Sequence, residues 1–296
     1  LEKGANVTIY EKADKKMAGG NTKYTAGAMR FAYDDDNQLM DLLKNPNDER
    51  LKNTDFGSYT QENFEKDLLN FNDGRPISHE QKILVSKSLE TIKWLSSHNV
   101  KFEPIYSRQS FLKNGKHIFW GGLTLASQNE GVGLFDQELA AFISLGGKIF
   151  YQSPVTNLFY ETGEVQGVYV NGVKVIADAV ILASGGFEAN DELRKSYIGN
   201  NWLKAKVRGT PHNTGDGLKM ALEIGAAKHG LYDGCHATPM DLYMKNYGGL
   251  DLEPSERKNY RKICYFLGIM INAKGKRFLD EGKNFRNYTY AQYGKR

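Results

Sequence analysis

From Val155 onward apolar and polar residues alternate with a period of two, and the alternation breaks at Thr162-Gly163 and Asn171-Gly172. Successive side chains of a strand point to opposite faces, so the rhythm predicts strands over 155–161, 165–170 and 173–177. Asn-Gly is a strong hairpin signal, and the three strands are expected to form a small antiparallel meander. Between Ser78 and His98 the period is helical instead. Ile83, Leu84, Ser88, Leu89, Ile92 and Leu95 share a face, and Ser78-His79-Glu80-Gln81 has capping-box spacing. Gly131-Val132-Gly133-Leu134 opens a second helix to Leu145, which Gly146-Gly147 stops.

Shorter apolar runs complete the pattern. Residues 7–10 and 148–151 read as strands, and Leu1-Glu2-Lys3-Gly4 as the last turn of a helix before the first of them. Ala179-Val180-Ile181-Leu182-Ala183 is apolar throughout, which suits a buried parallel strand. A helix over 218–224 ends at Gly225, with Thr214 as its N-cap and Asp216 complementing its dipole. Residues 37–72 have helical character with weak periodicity. Residues 111–127 are expected to be a packed loop, although Phe119-Trp120-Gly121-Gly122 is also suited to lining a ligand. After Gly230 the glycine and strand rhythm gives way to aromatic and charged residues, which sets a domain boundary near Leu231. Beyond it, 268–272 and 276–279 flank Ala273-Lys274-Gly275 as a hairpin.

Composition narrows the function classes. The 296 residues suffice for one large domain or two. Thirty-nine Lys and Arg against 35 Asp and Glu give a net charge of +4 without a basic block. That argues against nucleic-acid binding and suits a small anionic substrate. Cys235 and Cys264 belong to no zinc spacing, and Asp34-Asp35-Asp36 is expected to be a solvated turn and helix cap, so no metal site is expected. His79 and His98 stand at helix ends, where capping or exposure is their expected role. No apolar run reaches the roughly 20 residues of a membrane span. A cytoplasmic protein is expected, with the periplasm left open.

The candidate chemistry lies in small-residue bends. Residues 7–10 end in Glu11-Lys12, and a carboxylate at a strand end accepts hydrogen bonds from ribose hydroxyls in a βαβ nucleotide fold. The phosphate-binding glycines of such a unit stand about 20 residues earlier, before Leu1, so the chain is expected to begin inside the fold. Its other end, after Tyr288, Tyr290 and Tyr293, is expected to be cut as well. Gly19, Gly20 and Gly27 admit a flat ring to the backbone, while Asn21, Thr22 and Thr25 offer polar groups. An ordinary glycine-rich turn is the alternative that these residues alone leave open. Ser184-Gly185-Gly186-Phe187 and Asn213-Thr214-Gly215-Asp216-Gly217 are further bends of the same kind.

Taken in order, Val7-Thr8-Ile9-Tyr10-Glu11-Lys12, Gly19-Gly20-Asn21-Thr22, residues 181–187 and Asn213-Thr214-Gly215-Asp216-Gly217 resemble the FAD domain of the fumarate reductase and succinate dehydrogenase flavoproteins. Within that family the resemblance is nearest to the tricarballylate dehydrogenases, through residues 206–217, Gly234-Cys235-His236 and residues 285–290. It implies an α/β fold: a Rossmann-like FAD-binding domain with a parallel sheet and the small meander over 1–230, then part of an α+β capping domain over 231–296. By resemblance Glu11 takes the adenosine ribose, with Lys12 also binding cofactor. Gly19, Gly20, Asn21, Thr22, Ala26 and Gly27 surround the pyrophosphate and ring. Val155 meets the adenine through its backbone. Ala183, Ser184 and Gly185 lie beneath the cofactor, and Thr214, Gly215 and Asp216 complete that side. No histidine occurs from Met17 to Arg30, where some relatives attach the flavin, so non-covalent FAD is expected.

The reaction implied is hydride transfer between flavin N5 and a carbon next to a carboxylate. His236 would bind a substrate carboxylate and Arg286 would shuttle the proton. The residues alone favour a core histidine and a surface salt-bridge arginine at these positions. Deprotonating a guanidinium of pKa about 12.5 at neutral pH costs on the order of 7 kcal/mol, so Arg286 serves more easily as an acid. Fumarate reductases supply a Glu and Arg relay before the hairpin, and Lys262-Ile263-Cys264-Tyr265-Phe266 offers no such pair. The expected activity is therefore oxidation of a CH–CH bond in a small di- or tricarboxylate, with an unidentified electron acceptor and with this segment alone inactive. A fumarate-reductase-like reductase and a non-catalytic flavin module are the alternatives.

Overall fold

The computed structural model describes residues 1–72, 75–230, 232–235, 237, 239–247, 252, 256, 260, 268–278 and 280–281. It is a mixed α/β fold with parallel and antiparallel strand pairs, and it divides into two compact units.

The first unit comprises Leu1–Val7 and Thr25–Lys148. Its core gathers Phe31, Tyr33, Leu39, Phe56, Phe64, Val85, Ile92, Phe102, Phe119 and Leu125, each almost fully buried. Burying such a side chain is worth about 1.5–3 kcal/mol. Phe102–Pro104 and Ala28–Met29 flank Leu125–Ser127 as antiparallel neighbours. The helix His79–Ser97 starts with the expected capping box: the Ser78 hydroxyl accepts from Gln81 N at 3.2 Å, and Gln81 Oε1 accepts from Ser78 N at 3.0 Å. Its buried stripe is Val85, Ser88 and Ile92, whereas Ile83 and Leu84 are exposed. Of the expected face Ser88, Leu89, Ile92 and Leu95 thus meet the core, Ser88 accepting from Ala32 N at 2.9 Å, and Val85 takes the inward place expected of Ile83 and Leu84.

Residues 111–127 are not a loop. Ser110–Lys113 and Lys116–Phe119 form an antiparallel hairpin around Asn114-Gly115, both with positive φ, and Thr54–Asp55 adds to Lys116–Phe119 in parallel. The weak helical signal after residue 36 resolves into Asn37–Met40, the 3₁₀ turn Glu49–Asn53 and the helix Gln61–Phe71. Leu1 to Gly4 make a single turn closed by Gly4 N on Leu1 O at 2.9 Å, with Gly4 at φ +84°. The helix Glu130–Ser144 starts one residue before its expected position.

The second unit comprises Thr8–Tyr24 and Ile149–Arg296. Val155–Glu161, Glu164–Val170 and Val173–Ile176 form the expected meander. The helix Asp216–Glu223 packs against Val155–Glu161. Thr8–Tyr10 ends in Glu11, whose N–H reaches Phe150 O at 2.9 Å. The run Ala179 to Ala183 is not a buried strand, and Ile181 is 88% exposed. Among the described residues no strand pairs with it, so its continuous apolarity has no ladder to complete. The hairpin at Ala273-Lys274-Gly275 appears as the bridge between Ile271 and Arg277; Leu279 lies outside the described residues.

Candidate functional site

Three bends far apart in sequence meet inside the second unit. The first is the 3₁₀ turn Gly20–Tyr24, the second runs from Ser184 to Glu188, and the third from Thr210 to Gly217. Their junction is the Glu188 carboxylate. Its Oε1 accepts from Asn21 Nδ2 and, at 3.0 Å, from Asn213 Nδ2. Asn21 Oδ1 in turn accepts from Thr210 N at 2.9 Å. Two glycines clear the space. A Cβ on Gly185 would fall 2.6 Å from Asn213 Nδ2, and one on Gly186 would fall 2.6 Å from Glu188 Oε2. Both distances lie far inside carbon contact range.

A second set of contacts joins the strand end to the last bend. Lys12 Nζ donates to Thr214 Oγ1 at 2.7 Å and to Asp216 Oδ2 at 2.5 Å, and the Thr214 hydroxyl donates to Asp216 Oδ1 at 2.7 Å. Gly217 N donates to Ser184 Oγ at 3.2 Å, and Gly215 N to Gly186 O at 3.0 Å. Thr214 is therefore not the N-cap of the following helix. Gly215 holds that position at φ +82°, because the Thr214 hydroxyl is engaged by Lys12 and Asp216.

Burial pushes the Asp216 carboxyl up, but hydrogen bonds from Lys12 and Thr214 with the Lys12 charge outweigh it and hold it below its ordinary value. A depressed carboxyl stabilises the fold fully above the unfolded pKa of about 3.9 and loses that contribution as pH falls through the lower folded value. The side chains of Lys12 and Asp216 are 27% and 41% exposed, which limits the pair to less than about 1 kcal/mol. Asp216→Asn should therefore lower stability slightly at pH 7, and the gap to wild type should close in strong acid. Urea midpoints across the acid range check this, and a gap that widened on acidification would refute it.

Glu11 Oε1 accepts from Ala13 N at 2.8 Å, and among the described residues Oε2 has no hydrogen bond. An acceptor oxygen at a strand end is what a ribose diol requires. Ala183, Ser184, Gly185 and Gly186 are exposed and nearly without side chains, so a flat ligand can approach their backbone. Gly20 is half-buried, its Cβ position being 3.8 Å from Asn213 Oδ1. These residues fit a flavin nucleotide. Gly19 stands at φ +101°, and Thr22 N closes on Gly19 O at 3.1 Å. Val155 begins the meander opposite Val170.

Ala26 and Gly27 belong to the first unit instead. There a Cβ on Gly27 would meet the Glu130 backbone at 2.7 Å, so close packing against the start of a helix already demands glycine at that place. His236 and Arg286 lie outside the described residues. Cys235, which precedes His236 in the sequence, is half-buried. Burial pushes its thiol up to about 11, with the Arg194 cation opposing and the Glu188 charge adding, so it is not a nucleophile at neutral pH.

Sequence reasoning passed over Glu188, and it named Asn213 and Thr210 within their bend without giving either a role. The available signal was a carboxylate directly after a Gly-Gly-aromatic bend, with two bends elsewhere carrying amides.

Residues 1–294 match the FAD binding domain family. The chain is 28% identical over 293 residues to the fumarate reductase (cytochrome) of Shewanella frigidimarina, covering 95% of this chain and 44% of that protein. It is 30% identical over 163 residues to the 3-oxosteroid 1-dehydrogenase of Mycolicibacterium smegmatis, covering 50% of this chain and 26% of that one. The solved structure of 3-ketosteroid-delta4-(5alpha)-dehydrogenase from Rhodococcus jostii RHA1 superposes with a TM-score of 0.65 at 18% identity, over 99% of this chain and 58% of that one. That last likeness is one of fold. This chain thus spans less than half the length of the fumarate reductase it matches. Matched along nearly its whole length, the chain belongs to the FAD binding domain family, the FAD-dependent flavoproteins that include fumarate reductases and 3-oxosteroid dehydrogenases.

Proposed function

We propose that the whole protein is an FAD-dependent oxidoreductase acting on a CH–CH bond of a small polycarboxylate, with tricarballylate the nearest candidate. The observation that carries the flavin part is the meeting of Asn21, Glu188 and Asn213 from three bends inside one compact unit. The polycarboxylate part is supported by the resemblance of residues 206–217 and 234–236 and by a net charge of +4. Bound FAD supplies hydride transfer at N5. Glu11 accepts from the ribose, while the backbone around Gly20, Ser184 and Gly185 carries the pyrophosphate and ring. Residues 1–230 form the cofactor-binding part and residues 231–296 open the cap. In that cap His236 hydrogen-bonds a substrate carboxylate, and Arg286 moves the proton at the carbon next to the one that exchanges hydride.

The match to a fumarate reductase over 95% of this chain favours a second reading, reduction of an unsaturated dicarboxylate. FAD is held without a covalent bond in either case, since no histidine occurs from Met17 to Arg30. Two cysteines outside any metal or redox spacing favour the cytoplasm.

Anaerobic titration of the whole protein separates the readings. Tricarballylate should bleach the flavin absorbance, and denaturation should release all flavin from the protein. Oxidation of reduced viologen with fumarate, without bleaching by any saturated acid, would replace the dehydrogenase with the reductase. A flavin indifferent to every di- and tricarboxylate would overturn both.

A further inference from the structure

We propose that Glu188 is the positioning residue of the flavin pocket: it draws the amides of Asn21 and Asn213 onto one carboxylate oxygen, and FAD affinity depends on that junction. The inference rests on FAD binding and not on the choice of substrate. Each of the three bends is short and anchors itself at only a few positions, Tyr24 in the first, Phe187 against Tyr197 in the second and Thr210 in the third. Glu188 ties them to one another with hydrogen bonds that span 167 and 25 residues. Each of these hydrogen bonds fixes the rotamer of the amide that makes it and so orders the loop that carries it. Asn21 illustrates the effect. With Nδ2 committed to Glu188, its Oδ1 is turned to Thr210 N, which fixes the first bend against the third. Asn213 is treated alike, since its backbone carbonyl accepts from Ala189 N at 3.0 Å while its amide serves Glu188. The glycine at 186 leaves room for the carboxylate to fold back over its own bend, so the junction is built into the sequence on both sides.

The test is FAD binding by deflavinated whole protein, followed by quenching of flavin fluorescence, beside the urea midpoint of the apoprotein. Glu188→Ala should weaken FAD by about tenfold or more, the cost of losing the one acceptor that two amides share. Glu188→Gln keeps an acceptor oxygen in place and should stay within about threefold of wild type. Asn213→Asp sets a carboxylate against Glu188 and should lose affinity as Glu188→Ala does. Combining it with Glu188→Gln restores a donor and should recover most of the loss, which keeps the proposal testable should Glu188→Ala fold poorly. Wild-type affinity in Glu188→Ala would overturn the proposal. So would a loss in Glu188→Gln as large as in Glu188→Ala, because charge rather than position would then be responsible. A wild-type protein that takes up no FAD would overturn the flavin reading and this inference together, whereas indifference to polycarboxylates alone leaves the Glu188 result standing as read.

Discussion

Gly185→Ala should destabilise the apoprotein by about 2–5 kcal/mol and weaken FAD at least tenfold. Two costs combine at this position. The backbone stands at φ +74°, where an L-residue pays about 1–2 kcal/mol. The new methyl would also fall 2.6 Å from Asn213 Nδ2, an overpacking worth about 1–3 kcal/mol that is relieved only by moving the amide off Glu188. Gly172→Ala separates the two costs. Gly172 has φ +78° and no atom within 4 Å of its Cβ position, so that variant carries the backbone term alone. Urea midpoints and flavin quenching for both variants check the claim. Equal losses at 185 and 172 would show that the Asn213 contact is loose and that the bend tolerates a side chain.

The sequence was most legible where a structure is settled by neighbours. The alternation of 155–176 and its Asn171-Gly172 turn specify the meander without reference to anything else, and Ser78 with Gln81 specify a helix start by themselves. Legibility failed where a distant partner decides. Residues 179–183 have the apolarity of a central strand, but a strand exists only with a neighbour to bond, and among the described residues none is present. Thr214 has the composition of an N-cap, yet Lys12, some 200 residues earlier, engages its hydroxyl. Asn114-Gly115 did mark a hairpin locally. Its flanks, Phe111-Leu112 and Ile118-Phe119, place apolar residues in succession rather than in alternation, which hides the strands. Of the candidate site, the small-residue bends were readable because glycine and serine announce a close backbone approach. Glu188 was not, since nothing beside it in the chain shows that two asparagines converge on it.

Arg286→Gln in the whole protein should slow flavin reduction by the best tricarboxylate by about 10²–10⁴-fold, the usual worth of a placed proton-transfer group, while FAD remains bound. Glutamine retains much of the reach and two N–H donors, so it preserves hydrogen bonding while removing the proton that moves. Arginine is an unusual choice for that duty. With a reference pKa of about 12.5, giving up the proton at pH 7 costs on the order of 7 kcal/mol, so the forward oxidation needs a neighbouring acceptor that accompanies the guanidinium. The reducing direction has no such need. The overall equilibrium nevertheless belongs to the substrates, so a group lost from the shared transition state must slow both directions by the same factor. The split between kcat and KM then distinguishes the roles. Loss of a shuttle lowers kcat at nearly constant KM, loss of a carboxylate clamp raises KM, and loss of a surface ion pair changes neither. A wild-type rate in Arg286→Gln would remove Arg286 from the chemistry, and a rise in KM alone would move it to the binding of the acid.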